Sequence, residues 1–295
     1  MKKVMLAVAI DPKKVKFPVI ASPKIDGVRC HIDRDKNGKI VAFSRTNKPI
    51  PNRYVQYLFA IEDFLGLDGE LTVGPITAPD VFRQTTSGVM SVMGKPDVQF
   101  NVFDNHNSDL RFEDRVRGIE INSEWWGEER LVVVYQKKLN NYADLLEFEQ
   151  QCLKKGYEGI IVRSPDSPYK EGRSTVKEGW MLKIKRFTDA EATVIGFEEL
   201  MTNQNEQERD ECGYAKRSSS KEGLVPANTL GALVVEMDGM KFNIGSGFDA
   251  KTRKEIWENQ GKYLGKLAKF KHFEVGSKDV PRFPIWTGWR SELDV

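Results

Sequence analysis

Apolar residues recur along this chain with two different periods. Runs rich in Val, Ile and Phe, bounded by Gly, Asn, Asp or Pro, predict strands at PVIASPKI (18–25), GKIVAFS (38–44), VQFNVFD (98–104), RLVVVYQ (130–136) and GIIVRS (159–164). Two stretches carry helical spacing instead. In RYVQYLFAIEDFLG (53–66) the inward positions are Val55, Leu58, Phe59 and Leu65. In NNYADLLEFEQQCLKKG (140–156), Asn140 or Asn141 offers a cap, Tyr142, Leu145, Leu146, Cys152 and Leu153 share a face, and Gly156 is the stop. The elements interleave without the regular strand–helix rhythm of a parallel sheet, so the pattern predicts an α+β domain with mainly antiparallel sheets.

After about residue 187 the texture changes. DAEATVIGFEE (189–199), TLGALVVEMDGMKFNIGSGF (229–248) and KLAKFKHFEV (266–275) read as strands, the second a hairpin turning at Asp238-Gly239. DAKTRKEIWENQ (249–260) reads as a helix capped by Asp249 and ended by Gly261. Strands with a single helix suit a small barrel of the OB type. The expected domains are therefore 1–187 and 188–295. Between two barrel strands lies LMTNQNEQERDECGYAKRSSSKEGLV (200–225), long, polar and poor in core residues. It is either a disordered surface loop or one that orders on a partner, with Lys216, Arg217, Lys221 and the serines on phosphates.

Composition narrows the class but does not name it. With 295 residues, 40% hydrophobic and 30% charged, the chain can bury a substantial core, and a net charge of +2 advertises no polyanionic partner. Its three cysteines form no CxxC pair, which argues against a disulfide framework or a thiolate zinc site and for a reducing compartment. The opening MKKVMLAVAI has too short an apolar run for a signal peptide, and no stretch approaches the roughly 18 apolar residues of a membrane span, so an intracellular, soluble protein is expected.

The chemistry concentrates in a few short stretches. SPKIDGVRC (22–30) sets Lys24, Asp26 and Arg29 around Gly27 in what reads as strand, where alternation sends Lys24 and Asp26 to one side and Gly27 leaves room for a ligand. LDGEL (67–71) places Glu70 at a strand start after an Asp-Gly turn, and YEGIIVR (157–163) places Glu158 at the mouth of an apolar strand. WMLKIK (180–185) alternates strictly, with Leu182 and Ile184 on one side and Lys183 and Lys185 on the other. Together these supply a candidate lysine nucleophile, two carboxylates suited to Mg²⁺ (or Mn²⁺), a lysine pair suited to phosphate, and in Phe103 an aromatic suited to a base. Each alone also reads as a solvated strand face.

In order, KIDGVR, SRT, LDGEL, VFD, YEGIIVR and LKIK resemble the motifs of the covalent nucleotidyltransferases, the ATP-dependent DNA ligases, RNA ligases and mRNA capping enzymes. The similarity is greatest to the minimal ATP-dependent DNA ligases and covers nearly the whole chain after its first dozen or so residues. It implies a nucleotidyltransferase (ATP-grasp-like DNA ligase) domain followed by a C-terminal OB-fold β-barrel, and an enzyme that seals nicks in duplex DNA. Lys24 would attack the α-phosphate of ATP, AMP would pass to the 5′-phosphate of the nick, and the adjacent 3′-OH would displace it. The resemblance gives Arg29 the nucleotide, Glu70 the ribose side, Phe103 the adenine, Glu158 (with Glu70) the metal, Lys183 and Lys185 the α-phosphate, and Arg45 the nick 5′-phosphate. Asp26, Arg173 and Ser22 would also line the nucleotide site. The segment 200–225 occupies the place of a DNA-clasping latch. PRFPIWTGWR departs from the RxDK pattern of longer relatives, which leaves a pyrophosphate-orienting role for Arg282 and Arg290 open.

KYLGKLAKFKHFEVGSKDVPR (262–282) carries six Lys or Arg against two acids, a strip that suits either a solvated face or phosphate contacts. The partner expected is nicked duplex DNA, encircled by a monomer, in a host cytoplasm or nucleus and in a viral setting as readily as a cellular one. An RNA ligase, a capping guanylyltransferase, or a non-catalytic nick-binding protein with the same fold is the competing expectation. A lysine with a pKa near 10.4 needs about 4 kcal/mol to lose its proton at neutral pH. Divalent metal is therefore expected to be required before any adenylate forms.

Overall fold

A computed structural model describes residues 2–126, 129–209, 215–218, 220–273 and 280–290. The chain divides into two compact units, 1–185 and 186–295. In the first, Met5–Leu6 (β1) and Val8–Ala9 (β2) precede Val19–Pro23 (β3), Val28–Arg34 (β4) and Ile40–Ser44 (β5). Helix Arg53–Phe59 (α1), strand Leu67–Val73 (β6), helix Val81–Met90 (α2), strand Val98–Asn105 (β7) and helix Phe112–Trp126 (α3) follow. Leu131–Val133 (β8), Lys137–Leu139 (β9), helix Tyr142–Lys154 (α4), Ile160–Arg163 (β10), Gly172–Arg173 (β11) and Leu182–Ile184 (β12) complete it.

These strands form two five-stranded sheets, β5-β4-β6-β7-β8 and β2-β12-β10-β3-β9, each antiparallel except for one parallel pair, and β1 pairs with β11. Successive strand side chains point to opposite faces, and here the two faces have different fates. In the first sheet Cys30, Ile32, Leu67, Leu71, Val98, Phe100 and Val102 pack with Val55, Phe59 and Val89 of α1 and α2. In the second, Val19, Ala21, Ile160, Val162, Leu182 and Ile184 pack with Leu145, Phe148 and Cys152 of α4. The intervening residues (Arg29, Asp68, Glu70, Ser22, Ile161 and Lys183 among them) therefore occupy the other faces.

Several local expectations need correction. The helix predicted over 53–66 stops at Ala60, because continuing the Val55, Phe59 stripe by one more turn would bury Glu62 and Asp63. A 3₁₀ turn, Glu62–Phe64, follows and puts Phe64, not Leu65, into the core. On α4 the cap is Asn141, whose side chain accepts from the Asp144 N–H, and the buried face is Leu145, Phe148, Glu149 and Cys152, with Tyr142 exposed. Helices α2 and α3 bury short, interrupted stripes that the sequence reading did not pick out: Val81 and Val89 with the polar Thr85 between them, and Phe112, Val116 and Ile119 with buried Arg115 beside them. Asp68-Gly69 is not a turn but the middle of β6, at a register shift against β7.

The strand at PVIASPKI also ends early. β3 stops at Pro23 and β4 starts at Val28, so Lys24–Gly27 is a connecting loop and strand alternation does not place Lys24 beside Asp26. Gly27 is required for a reason other than ligand access: a Cβ there would stand 2.2 Å from the carbonyl oxygen of Leu71 on β6.

In the second unit, Thr188–Asn203 (β13), Leu224–Met237 (β16), Met240–Ile244 (β17), Leu267–Phe273 (β18) and Arg282–Trp289 (β19) form one antiparallel sheet, order β17-β16-β13-β18-β19. A single parallel bridge, Ser246 to Ile285, joins the chain beyond β17 to β19 at the opposite edge. Asp238 and Gly239 both have positive φ, 52° and 78°, as the predicted hairpin turn requires. Asp249 caps helix Ala250–Glu258 (α5) through the Thr252 N–H, but the predicted helix breaks at Asn259 before Gln260–Tyr263 (α6).

Within 200–225 a hairpin of Gln207–Arg209 (β14) and Ala215–Arg217 (β15) is present, and β13 and β16 extend to its base. A structureless loop is thus the wrong reading. The amides of Asn203 and Asn205 tie the base together by donating to the carbonyls of Ser218 and Ser220. Residues 210–214 and 219 and the side chain of Lys216 lie outside the described residues, as do 274–279 of the basic strip.

The Gly27 contact yields a direct test. Gly27→Ala must displace backbone, and overpacking of this kind is expected to cost about 1–3 kcal/mol in urea unfolding. An unchanged midpoint would show that the β4–β6 approach is looser than described.

Candidate active site

The β3–β10 ladder does the first part of the assembly. Ile160 to Arg163 pair with Pro23 to Ile20, and just beyond the ladder the Lys24 N–H donates to the Gly159 carbonyl at 2.8 Å while the Glu158 N–H donates to the Lys24 carbonyl at 3.3 Å. Two residues separated by 134 positions are thereby held side by side, and the Lys24 Nζ forms an ion pair with Glu158 Oε2. Lys185, immediately after β12, pairs with the other oxygen, Glu158 Oε1. A single carboxylate thus bridges two ammonium groups, both mostly buried.

The second part is a shelf built by the first sheet. Arg29 Nε and Nη2 donate to Asp68 Oδ1 and Oδ2 at 2.6 and 2.7 Å, a two-pronged pair in which Asp68 is fully buried. Tyr169 Oη donates to the same Asp68 Oδ2 at 2.6 Å. The Arg29 guanidinium lies over the Phe103 ring, 4.6 Å from its centre. Burial opposes the charge on Arg29, but Asp68 overcomes it and the pKa rises. Behind the shelf, Asp104 is buried between Arg115 and Arg163; burial would raise its pKa, yet the two guanidiniums hold it below the usual carboxylate range.

Between shelf and ladder lies a cleft of about 960 Å³ including its open mouth, lined by Ser22, Lys24, Arg29, Arg45, Glu70, Phe103, Arg173 and Lys183 from the sequence reading. Five of these are cations, and four of them press on one another: burial and the charges of Lys24, Arg173 and Arg45 hold Lys183 below the usual lysine range. Glu70 is shifted the opposite way. Burial raises it, Arg29 and Lys24 only partly compensate, and it titrates at about 7. Asp26 and Glu158 are absent from the lining, Glu158 because it sits beneath Lys24, and Lys185 is absent with it.

Of the remaining candidates, Arg217 donates to the Asn205 carbonyl at the hairpin base and Lys221 lies exposed in a 3₁₀ turn. Arg290 donates to Glu191 at 2.9 Å and Arg282 lies near Phe283, both within the second unit. Sequence reading missed Asp68, Asp104, Arg163, Gln136 and the Leu6–Ala7 segment. Gln136 donates to the Phe103 carbonyl at 3.0 Å, and Arg173 reaches the Ala7 carbonyl at 2.7 Å. The acids inside LDGEL and VFD were the available signal; nothing local marks Arg163 or Gln136.

Residues 4–185 match the family model described as ATP dependent DNA ligase domain, which covers more than half of the sequence. The chain belongs to the ATP-dependent DNA ligase family. Residues 225–290, within the second unit, match the family model described as DNA ligase OB-like domain. The crystal structure of Chlorella virus DNA ligase-adenylate is 34% identical, covers 98% of this chain and 100% of that one, and superposes with a TM-score of 0.55. A DNA ligase of Haemophilus influenzae is 24% identical over 92% of this chain and 86% of that protein. African swine fever virus DNA ligase is 27% identical over 60% of this chain, which spans only 44% of that relative's length. Among the described residues no helix is long and apolar enough to cross a membrane.

Two outcomes follow from the shelf. Asp68→Ala leaves the Arg29 guanidinium buried without its counter-ion and is expected to cost about 3–5 kcal/mol by chemical denaturation; a cost near zero would mean that solvent reaches the pair. Because Glu70 is raised from 4.5 to about 7, the folded protein holds that proton more tightly, so its contribution to stability is complete below pH 4.5 and lost as pH rises to about 7. Glu70→Gln should flatten this part of the stability–pH curve, and a curve of unchanged slope would exclude Glu70 as its origin.

Proposed function

We propose that this ligase family member uses ATP to seal nicks between a 3′-OH and a 5′-phosphate in duplex DNA, with Lys24 as the transient carrier of AMP. The observation that carries the reading is the position of the Lys24 amine, in a cleft with Phe103 and Arg29 on the shelf and Arg45, Arg173 and Lys183 among its cations. A purine finds the Phe103 ring together with apolar Leu6, Ile161 and Met181, and the triphosphate finds the cations. Ser22 lines the same pocket, with Asp26 just outside it.

Three displacements at phosphorus follow. The amine forms a P–N bond as the bond to pyrophosphate breaks; a 5′-phosphate oxygen then takes AMP from Lys24; finally the 3′-OH attacks that phosphorus and AMP leaves. In each, negative charge shifts between oxygens that Arg45, Arg173 and Lys183 are placed to stabilise, so alignment and cationic clamping carry the catalysis. Glu158 keeps the Lys24 side chain aimed, and Lys185 holds Glu158 from the other side.

ATP use follows from family membership; the metal is a matter of fit. Glu158 is one carboxylate close to the amine; its two oxygens pair with Lys24 and Lys185, so it would hold Mg²⁺ or Mn²⁺ in exchange for one of those pairs, with phosphate oxygens and water completing the shell. Glu70, titrating at about 7, is the weaker partner. Glu158 would hold the ion, which when bound would supply positive charge to the phosphates.

The hairpin β14–β15, with Arg217, Lys221 and Lys216, is proposed as the DNA-clasping latch of a monomer that encircles the duplex, within an insertion at about 200–225. The proposed domains are 1–187 and 188–295, and Arg282 and Arg290 are left with the orientation of pyrophosphate as their proposed role.

Labelled ATP with Mg²⁺ should leave an AMP adduct on Lys24 by mass spectrometry and support joining of a nicked duplex. Lys24→Ala should lose both, and omission of divalent metal should abolish the adduct. Labelling by GTP alone would point to a capping enzyme, and nick joining by Lys24→Ala would overturn the assignment.

A further inference from the structure

The alternation that puts Arg29 on the polar face of β4 continues along the strand to His31 and Asp33, beyond the nucleotide cleft, none of whose lining residues they are. His106, directly after β7, comes to the same place: its ring centre is 5.4 Å from that of His31. One ligand-capable atom from each of His31, Asp33 and His106 lies within 4.8 Å of the others, the sole group of three His, Cys, Asp or Glu so placed among the described residues. His31 and His106 are buried, at 0% and 2% exposure.

The hydrogen bonds around the two rings settle which nitrogen of each is bare. His106 Nε2 is 3.1 Å from the Ile32 carbonyl oxygen, which can only accept, so Nε2 carries the hydrogen. His31 Nε2 is 3.1 Å from Asn47 Oδ1, and the orientation of that amide is supported by its Nδ2 facing the Lys2 carbonyl at 3.4 Å. Each neutral ring has one hydrogen, and both are used on Nε2. The Nδ1 atoms of His31 and His106 are consequently lone-pair acceptors, and both are buried with no hydrogen-bond partner in the protein.

Two buried acceptors on neighbouring rings, near a carboxylate, have no hydrogen-bond donor among the described residues. Orphaned groups of this kind are uncommon because each costs on the order of 1–3 kcal/mol. A carbonyl acceptor on the far nitrogen is also the usual outer partner of a metal-binding imidazole, fixing its tautomer and its aim. Asp33 is already oriented, accepting from the Lys2 N–H at 3.1 Å and the Arg34 N–H at 2.7 Å, and is partly open to solvent.

We infer that His31 Nδ1, His106 Nδ1 and the Asp33 carboxylate form a binding site for a divalent first-row transition ion, with Zn²⁺ the best match. Two imidazoles and a carboxylate are a common three-ligand zinc set, and water reaching Asp33 supplies the fourth position. Ligands at about 2.0–2.1 Å from an ion require the three atoms to draw in from their present separation by small side-chain rotations. The ion would fasten β4 to the turn after β7 and to the Lys2 segment that Asp33 and Asn47 hold. It would do so next to the shelf, since His31 stands opposite Asp68 in the β4–β6 register. Its role would be structural, separate from the metal of phosphoryl transfer.

Titration calorimetry of the untagged full chain with ZnCl₂ should show one equivalent bound and a raised thermal midpoint. Co²⁺ in its place should give the visible absorption of a tetrahedral nitrogen–oxygen site. Asp33→Asn and His106→Gln, each checked for native near-UV circular dichroism, should lose this site. Asn47→Ala, which strips the acceptor from His31 Nε2–H, should weaken it about 10- to 100-fold. Asp33→Asn should still form the Lys24 adduct with ATP and Mg²⁺. Glu158→Ala should retain the Zn²⁺ site, which separates it from the cleft. Absence of stoichiometric Zn²⁺ binding by the parent chain, or equal binding by folded Asp33→Asn and His106→Gln, would falsify the assignment.

Discussion

A strand sends alternate side chains to opposite faces, and the two sheets of the first unit are organised by that constraint. Arg29, Glu70, Phe103 and Lys183 lie on strands, and Lys24, Arg45, Glu158 and Lys185 lie just beyond strand ends. Each of the two sheets covers one face with helices and fills that interface with Val, Ile, Leu and Phe. The residues in between have nowhere else to point. Placing charges there is tolerable only where each finds a counter-charge, because an unpaired ion loses hydration that nothing replaces. The molecule meets this demand with carboxylates set among cations: Asp68 under Arg29, Asp104 between Arg115 and Arg163, and Glu158 between Lys24 and Lys185. The first two are structural supports, and the third holds the amine proposed to react.

These supports explain which parts of the site were legible in the sequence. Strict alternation in WMLKIK separated the core side of β12 from the cleft side: Leu182 and Ile184 are 3% and 1% exposed, and Lys183 between them lines the cleft. Lys24, Arg29, Glu70 and Phe103 were legible as members of ordered motifs, and the cleft brings all four together. Asp68 and Asp104 were not, because an Asp before Gly reads as a turn and an Asp ending VFD reads as a strand boundary. Both are instead fully buried, and only their partners, 39 and 59 positions away, give them a role. The helices α2 and α3 were missed for a related reason: Thr85 interrupts the buried Val81–Val89 stripe of α2, and buried Arg115 interrupts the Phe112, Val116, Ile119 stripe of α3.

The polar segment 200–225 shows the opposite error. Its composition lacks the apolar residues that normally offset the entropy of ordering a chain. Yet its described part is a hairpin, because Asn203 and Asn205 supply hydrogen bonds to the backbone of the returning strand at its base. Composition gauges burial, but it does not see side-chain amides spent on main-chain carbonyls.

The cleft itself is electrostatically unfinished, and the proposed function draws on that. Lys183 is held below the usual lysine range by burial and by the charges of Lys24, Arg173 and Arg45, a crowding that disfavours the very cations present. Glu70, the acid lining the same space, is raised to about 7 and so is largely neutral through mildly acidic pH. A site in which like charges are crowded and the nearest lining acid is half-protonated has a deficit of negative charge. A polyphosphate supplies that charge, and each cation it neutralises relieves repulsion that the folded chain otherwise carries. On the proposed function, binding of the triphosphate and stabilisation of the fold would be coupled through Lys24, Arg45, Arg173 and Lys183, the energy that holds the nucleotide being drawn from repulsion built in by the meeting of the two sheets.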